Sequence, residues 1–305
     1  MDIKNFLLEA HKIVLLTCTM LFCFAVATFG SGLAPLSLLT ESVSRPSAGP
    51  TVNPWQALVP LLIFSFVIAV IFRHIIIRSR WYGIKLIIAV FITFYGLLTI
   101  VGQLESVVFL QNQMPEGLIF KIFLMGLILA ALFSPLAVLI SGKMIQKTPE
   151  QTPNRRLVMP VLEWIWKLTV IGVSYVILYF IFGYFVAWKS SAIQTYYGGF
   201  DPGGFFAHIA SFWSNYPWMF FFQFARGLLW MLFALPVIRM YKGKNWQVGL
   251  TLALLFAFWS FQLLIPNPFM PPDVARVHLI ETFSSNFIFG WIVGLLLSTT
   301  SKRLT

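Results

Sequence analysis

The chain has 305 residues, of which 59% are hydrophobic and only 10% charged. So few charges cannot cover that much apolar surface in water, which excludes a soluble globular protein and makes a lipid bilayer the expected solvent. The formal charge of +11 would suit a nucleic-acid binder, but the basic residues sit in short connections beside apolar segments rather than on one face or in a tail. Topogenic charge and contact with membrane lipids are read instead, and nucleic acid is not expected as a partner.

A membrane helix needs about 20 mostly apolar residues. The first such segment, Ile13–Leu33, contains both cysteines, Cys18 and Cys23. Five residues apart, they fall on different faces of a helix and read as small apolar filler rather than a disulfide or metal pair. Lys4, Lys12 and Ala25-Val26-Ala27 give this segment a rival reading as a cleavable signal peptide. Apolar sequence continues past Ala27, which favours a retained span.

The remaining spans are expected at Trp55–Ile77, Leu86–Leu104, Leu118–Ile140, Val161–Ala187, Trp218–Ile238, Val248–Ile265 and Val274–Leu297. The fold class is therefore all-α, a polytopic membrane helix bundle of eight spans. Pro135 and Pro236 predict bends in the fourth and sixth. Ser42–Asn53, rich in Pro, Ser and Gly, reads as a loop. The connection Lys189–Asn215 is the longest, and its second half, with Phe205, Phe206, Phe212 and Trp213, predicts a short interfacial helix with its aromatic side toward the lipid. Pro266-Asn267-Pro268 and Pro271-Pro272 stop the seventh span and start the eighth. Phe220–Phe222 read as lipid-facing, and Glu163 with Lys167 as a helix-surface pair.

The connections alternate in charge. One set holds Lys4 and Lys12; Arg78, Arg80 and Lys85; Lys143, Lys147, Arg155 and Arg156; Arg239, Lys242 and Lys244; and Lys302 with Arg303. The other holds mainly Arg45 and Lys189, with Glu41, Glu116, Asp201 and Asp273. The positive-inside rule makes the first set cytoplasmic, so both termini are expected inside, in a bacterial-type cytoplasmic (inner) membrane.

Spans two to four and six to eight share landmarks. Each triplet opens with Pro-Trp (Pro54-Trp55, Pro217-Trp218) and continues into basic residues around a tryptophan (Trp81, Trp246). Each last span is announced by Met-Pro (Met114-Pro115, Met270-Pro271). These predict two four-helix halves, residues 1–156 and 157–305, within one integrated membrane domain. Proline and tryptophan recur at the ends of unrelated membrane helices, so the same landmarks also fit no repeat at all. The layout resembles haem A synthase in outline, but the histidine pattern such an enzyme needs is missing: His74 and His278 fall at opposite membrane faces.

Charges inside spans are costly and mark candidate sites. Arg226 lies about 13 Å from the start of the sixth span and Glu281 about 12 Å from the start of the eighth, at 1.5 Å per residue. That match predicts an ion pair. Gln223 is one turn from Arg226 and His278 one turn from Glu281; Gln103, Glu105 and Gln262 reach outer-half depth, and Asn286 extends the polar run partly off the Glu281 face. Together they predict a polar cavity open to the outside. Arg226, Gln223, Gln103, Glu105, Gln262 and Asn286 would bind a small anionic or lipid-like ligand, and Glu281 with His278 would handle protons or act as acid and base. An equally simple reading makes Arg226 and Glu281 an interhelical glue.

The His278-x-x-Glu281 spacing lacks the second histidine of a zinc motif, so no metal is expected, and no cofactor. No Walker loop, dinucleotide fingerprint, zincin motif or Gly-x-Ser-x-Gly elbow is present, and no connection is large enough for a soluble catalytic domain. Three functions remain open at this point: binding or transport of an anionic or lipid-like molecule, an embedded enzyme acting on a lipid, and a non-catalytic assembly scaffold. The sequence names no protein partner.

Overall fold

The computed structural model describes residues 3–33, 54–110, 114–146, 154–199, 203–266 and 270–299. The Ser42–Asn53 loop, Glu41, Arg45, Lys147, Asp201, Asn267-Pro268 and Lys302-Arg303 lie outside the described residues. Among those described, eight helices are long and apolar enough to cross a membrane, which makes the protein a polytopic membrane helix bundle.

The elements are α1 (Ile3–Gly30), α2 (Pro54–Ile77), α3 (Gly83–Tyr95), α4 (Leu118–Ile140), α5 (Val161–Phe182), α6 (Ser191–Tyr197), α7 (Phe205–Asn215), α8 (Trp218–Met240), α9 (Asn245–Phe258) and α10 (Pro272–Ser298). Three spans continue past their regular helix. After α3 come wide π-turns at Gly96–Val101 and Ser106–Leu110, with one α-turn, Gly102–Glu105, between them. After α5 comes a π-turn at Gly183–Ala187, and after α9 a tight 3-10 stretch at Trp259–Leu264. Two of the three π-turns open at a glycine, the residue least able to hold an α-helix. Helix α1 starts ten residues before its expected apolar run, because the charged residues around Glu9 extend the helix beyond the apolar stretch.

The chain divides into two compact units: Met1–Pro153 with Met240–Lys242 and Leu264–Phe269, and Asn154–Arg239 with Gly243–Leu263 and Met270–Thr305. In the first, α1 packs on α2 and α4, and α3 packs on α4. Phe72, Phe94 and Phe133 form an aromatic centre, their rings 5.1 to 6.2 Å apart. Gly126 lets α4 approach the first π-turn so closely that a Cβ there would overlap the Thr99 side chain. At the lysine- and arginine-rich end, Arg80 N–H donates to Met240 O and Lys242 N–H to Arg78 O, each 2.7 Å, bridging Ser79 to Tyr241. Lys143 Nζ donates to Ser79 O at 2.9 Å and lies over the Tyr82 ring. The Lys143 side chain thus has a structural tie beyond marking a membrane side.

In the second unit α10 is the hub, packing on α9, α5, the π-turn and α6. Glycines allow α9 and α10 to touch backbone to backbone: a Cβ on Gly290 would overlap the Leu252 carbonyl, and one on Gly294 would meet Gly249. Lipid gives apolar helices no hydrophobic reason to associate, so such close packing and interhelical polar contacts carry the association. Helix α9 starts at a capping box in which Gln247 Oε1 accepts from Lys244 N–H at 2.9 Å.

Two expectations about individual side chains are corrected. Lys167 is 2% exposed, not on the surface; beside Glu163 at 2.7 Å it donates to Thr299 O at 2.8 Å, so it ties α5 to the end of α10. Phe220 stacks on Phe180 at 4.7 Å, whereas Phe221 is exposed as expected. The interfacial helix exists as α7, but its aromatics divide. Phe205 and Phe212 turn inward around Tyr184 and the buried His208, while Phe206 and Trp213 face outward.

Candidate functional site

Helix α8 presents Met219, Gln223, Arg226 and Trp230 at the three- and four-residue spacing of one helix face, and all four are buried. Arg226 lies with its guanidinium carbon 5.8 Å from the centre of the Tyr175 ring on α5. Gly227 makes this approach possible, because a Cβ there would overlap Tyr175. One turn further along, Trp230 meets Trp259 edge to face at 5.7 Å. Gln223 Oε1, Trp230 Nε1 and Trp259 Nε1 are buried and, among the described residues, have no hydrogen-bond partner. Each such atom costs about 1–3 kcal/mol when left unsatisfied. The cluster thus gathers a cation, two indole donors and an amide on and beside one helix face.

Glu281 belongs to a different group. It is 9% exposed, and its Oε2 lies 2.7 Å from His278 Nδ1 on the same helix. The other ring nitrogen, Nε2, lies 3.1 Å from the hydroxyl of Tyr197, the last residue of α6. Glu281 Oε1 faces Gly183 at the start of the π-turn, 3.8 Å from where a Cβ would stand. Ser285 Oγ donates to the Glu281 carbonyl at 2.8 Å.

Among the described residues the ion-pair partner of Glu281 is His278, and no ion pair joins it to Arg226. Helix α5 acts as a ruler that explains why. Arg226 is level with Tyr175, which touches Phe289 of α10 at 4.8 Å. Glu281 is level with Gly183 instead. Two turns separate each of these pairs along its helix, about 12 Å. Counting from helix starts concealed this offset, because α10 begins further out than α8. Its first turns pack Val274 against Ala187 and Ile193, beyond the end of α5's regular helix.

The other sequence candidates are dispersed. Asn286 is buried on α10. Gln262 sits partly buried on the 3-10 stretch after α9. Gln103 and Glu105 belong to the first unit, partly buried on the α-turn between the two π-turns. No group of three or more His, Cys, Asp or Glu side chains that could hold a metal ion occurs among the described residues.

Two pairs of residues escaped the sequence reading. Arg73, 4% exposed on α2, offers Nη2 to both carboxylate oxygens of Glu9 at 2.6 and 2.7 Å. The signal was present, a charge in each of two apolar helices, but neither residue stood out beside the more numerous basic residues of the connections. Tyr197 pairs with His278 across 81 residues; the Tyr196-Tyr197-Gly198-Gly199 run announces a helix stop, not what lies beside it.

No protein-family model matches the chain, and no curated protein or solved structure is similar to it. The class of protein therefore rests on the fold: an integral, multi-pass helical membrane protein with buried polar groups inside its spans.

Proposed function

We propose that the protein is a cytoplasmic-membrane protein, with both termini on the cytoplasmic side, that binds or moves a small anionic or lipid-like molecule, and that Arg226 is its anion contact. The observation that carries this reading is the α8 face: a buried guanidinium one turn from Trp230, whose indole N–H, like that of the adjoining Trp259, is buried and without a hydrogen-bond partner among the described residues. Guanidinium and indole groups only donate, so this face is chemically complementary to an acceptor-rich group such as a carboxylate or phosphate. Gln223 adds an amide that can donate or accept. Glu281 and His278 are given the proton-handling role. Gln262 and Asn286 of the second unit and, separately, Gln103 and Glu105 of the first are proposed ligand contacts from their place in the sequence alone.

Native mass spectrometry in mild detergent tests it. Phosphatidylglycerol and phosphatidic acid should bind wild type more tightly than phosphatidylcholine, and Arg226→Ala should lose the difference by about tenfold or more, the scale of one charge-assisted hydrogen bond. Equal binding of all three lipids by wild type, with no small anion retained, counts against the reading.

A second reading, an embedded enzyme acting on a lipid, is favoured by one observation: His278 stands between the Glu281 carboxylate at Nδ1 and the Tyr197 hydroxyl at Nε2, an arrangement that suits a general base. Turnover of an added lipid would select it.

A further inference from the structure

We infer that Tyr197, His278 and Glu281 form a proton relay that links a carboxyl group buried in the second unit to its surface at the end of α6. The inference rests on the proton-handling role given above to Glu281 and His278, and it adds the third member and the exit.

The three groups form an unbroken line. Glu281 Oε2 is 2.7 Å from Nδ1 and the Tyr197 hydroxyl 3.1 Å from Nε2, both within hydrogen-bond reach. The line also runs from inside to outside: Glu281 is 9% exposed, Tyr197 46%. Position is fixed at both ends. Helix α6 is pinned to α10 by Ile193 against Val274 and Ala187, with Tyr196 and Val277 packed on the cluster. It ends at Gly198 with φ +66°, a conformation glycine adopts without strain, which stops the helix with Tyr197 beside His278. The π-turn matters too, since Gly183 leaves Oε1 against bare backbone.

An imidazole conducts a proton by exchanging tautomers. Protonated Glu281 gives its proton to Nδ1. The proton on Nε2 passes to the Tyr197 oxygen as the phenol releases its own to water. The products are the Glu281 carboxylate, a neutral ring protonated at Nδ1, an intact phenol and one proton outside; passage in reverse resets the ring. No ion is stranded on the imidazole.

The remaining titratable groups around the relay have other ties. Lys189 lies over the Tyr184 ring at 4.4 Å, and the Tyr184 hydroxyl donates to Gly203 O. Asp273 and Arg276 pair with each other and are exposed. Tyr179 on α5 lies one turn before Gly183, with its ring against Phe180. Tyr196 packs on the α6 cluster. Helix α9 and its 3-10 extension contain no titratable side chain.

The test is a pH jump on the full chain in phosphatidylcholine vesicles, followed by time-resolved infrared spectroscopy of the protonated-carboxyl band, with Glu281→Gln identifying the Glu281 signal. Tyr197→Phe, which keeps the ring in place, should slow deprotonation of Glu281 roughly tenfold or more at unchanged amplitude, and His278→Gln should slow it at least as much. The rate is read with no anion added, so the relay can fail while the ligand reading stands, and the reverse. Wild-type rates in both Tyr197→Phe and His278→Gln, or no band that disappears in Glu281→Gln, would overturn the relay.

Discussion

In the first unit the buried charge inside a span sits about one turn from the end of α2, where Arg73 meets a half-exposed Glu9. In the second it sits deeper. Arg226 stacks on an aromatic ring in the middle of α5, and Glu281 is held by a histidine that a further short helix reaches. The second unit places two short helices, α6 and α7, between its first two spans. The difference teaches where chemistry is to be sought. A charge near a helix end can be satisfied by a neighbour that reaches water, and so needs no function. A charge two or more turns in needs a partner, a ring or a ligand. The units share one irregularity: α3 runs 13 residues and α9 14 before each leaves α geometry.

The largest effect should separate the units by packing. Gly290→Ala drives a Cβ into the fixed Leu252 backbone and should cost about 3 kcal/mol or more. Gly30→Ala in the first unit meets only the end of the Ile128 side chain, 3.3 Å from the new Cβ, and should cost about 1 kcal/mol or less. Thermal unfolding in detergent compares them, and equal losses would break the contrast. Next, Glu9→Gln strips a buried guanidinium of its carboxylate. A fully buried pair would lose about 3–5 kcal/mol, and the exposure of Glu9 reduces the expectation to about 1–2 kcal/mol. Adding Arg73→Met should recover most of that loss, as it removes the stranded charge. If the double variant is no more stable than Glu9→Gln alone, the account of Arg73 fails.

Smaller effects sharpen the second unit. Arg226→Ala removes the contact with the Tyr175 ring, worth about 0.5–2 kcal/mol, along with the guanidinium's remaining contacts, and should leave the protein folded. Arg226→Lys keeps the charge but loses the planar donor array, so anion binding should fall with little change in stability. Tyr197→Phe should change the melting temperature least, by the equivalent of about 0.5–1 kcal/mol for one hydrogen bond.

Much of the fold was legible because the bilayer sets helix length. The expected Leu118–Ile140 and the observed α4 share both ends. The bilayer does not read helix starts, however, and the depth of a side chain depends on where its neighbours begin. Arg226 and Glu281 matched in depth only on the assumption that α8 and α10 start level, which the packing of α10 on α6 rules out. His278 and Glu281 were legible as a pair because three residues on one helix bring them together. Tyr197 was not, since no local pattern records a contact between α6 and α10. The Trp230–Trp259 contact, whose two indole N–H groups now carry the anion reading, was hidden among the large aromatics expected of any membrane protein.

The most direct measurement is mass spectrometry of the small molecules that co-purify with the full chain in mild detergent, comparing wild type, Arg226→Ala and Arg226→Lys, each checked for folding by its melting temperature. The account predicts an anionic lipid or metabolite bound to wild type, weakened in Arg226→Lys and lost from an Arg226→Ala protein that remains folded. The same molecules at the same occupancy in all three, or an Arg226→Ala protein that unfolds while wild type holds no anion, would make Arg226 a structural residue and contradict it.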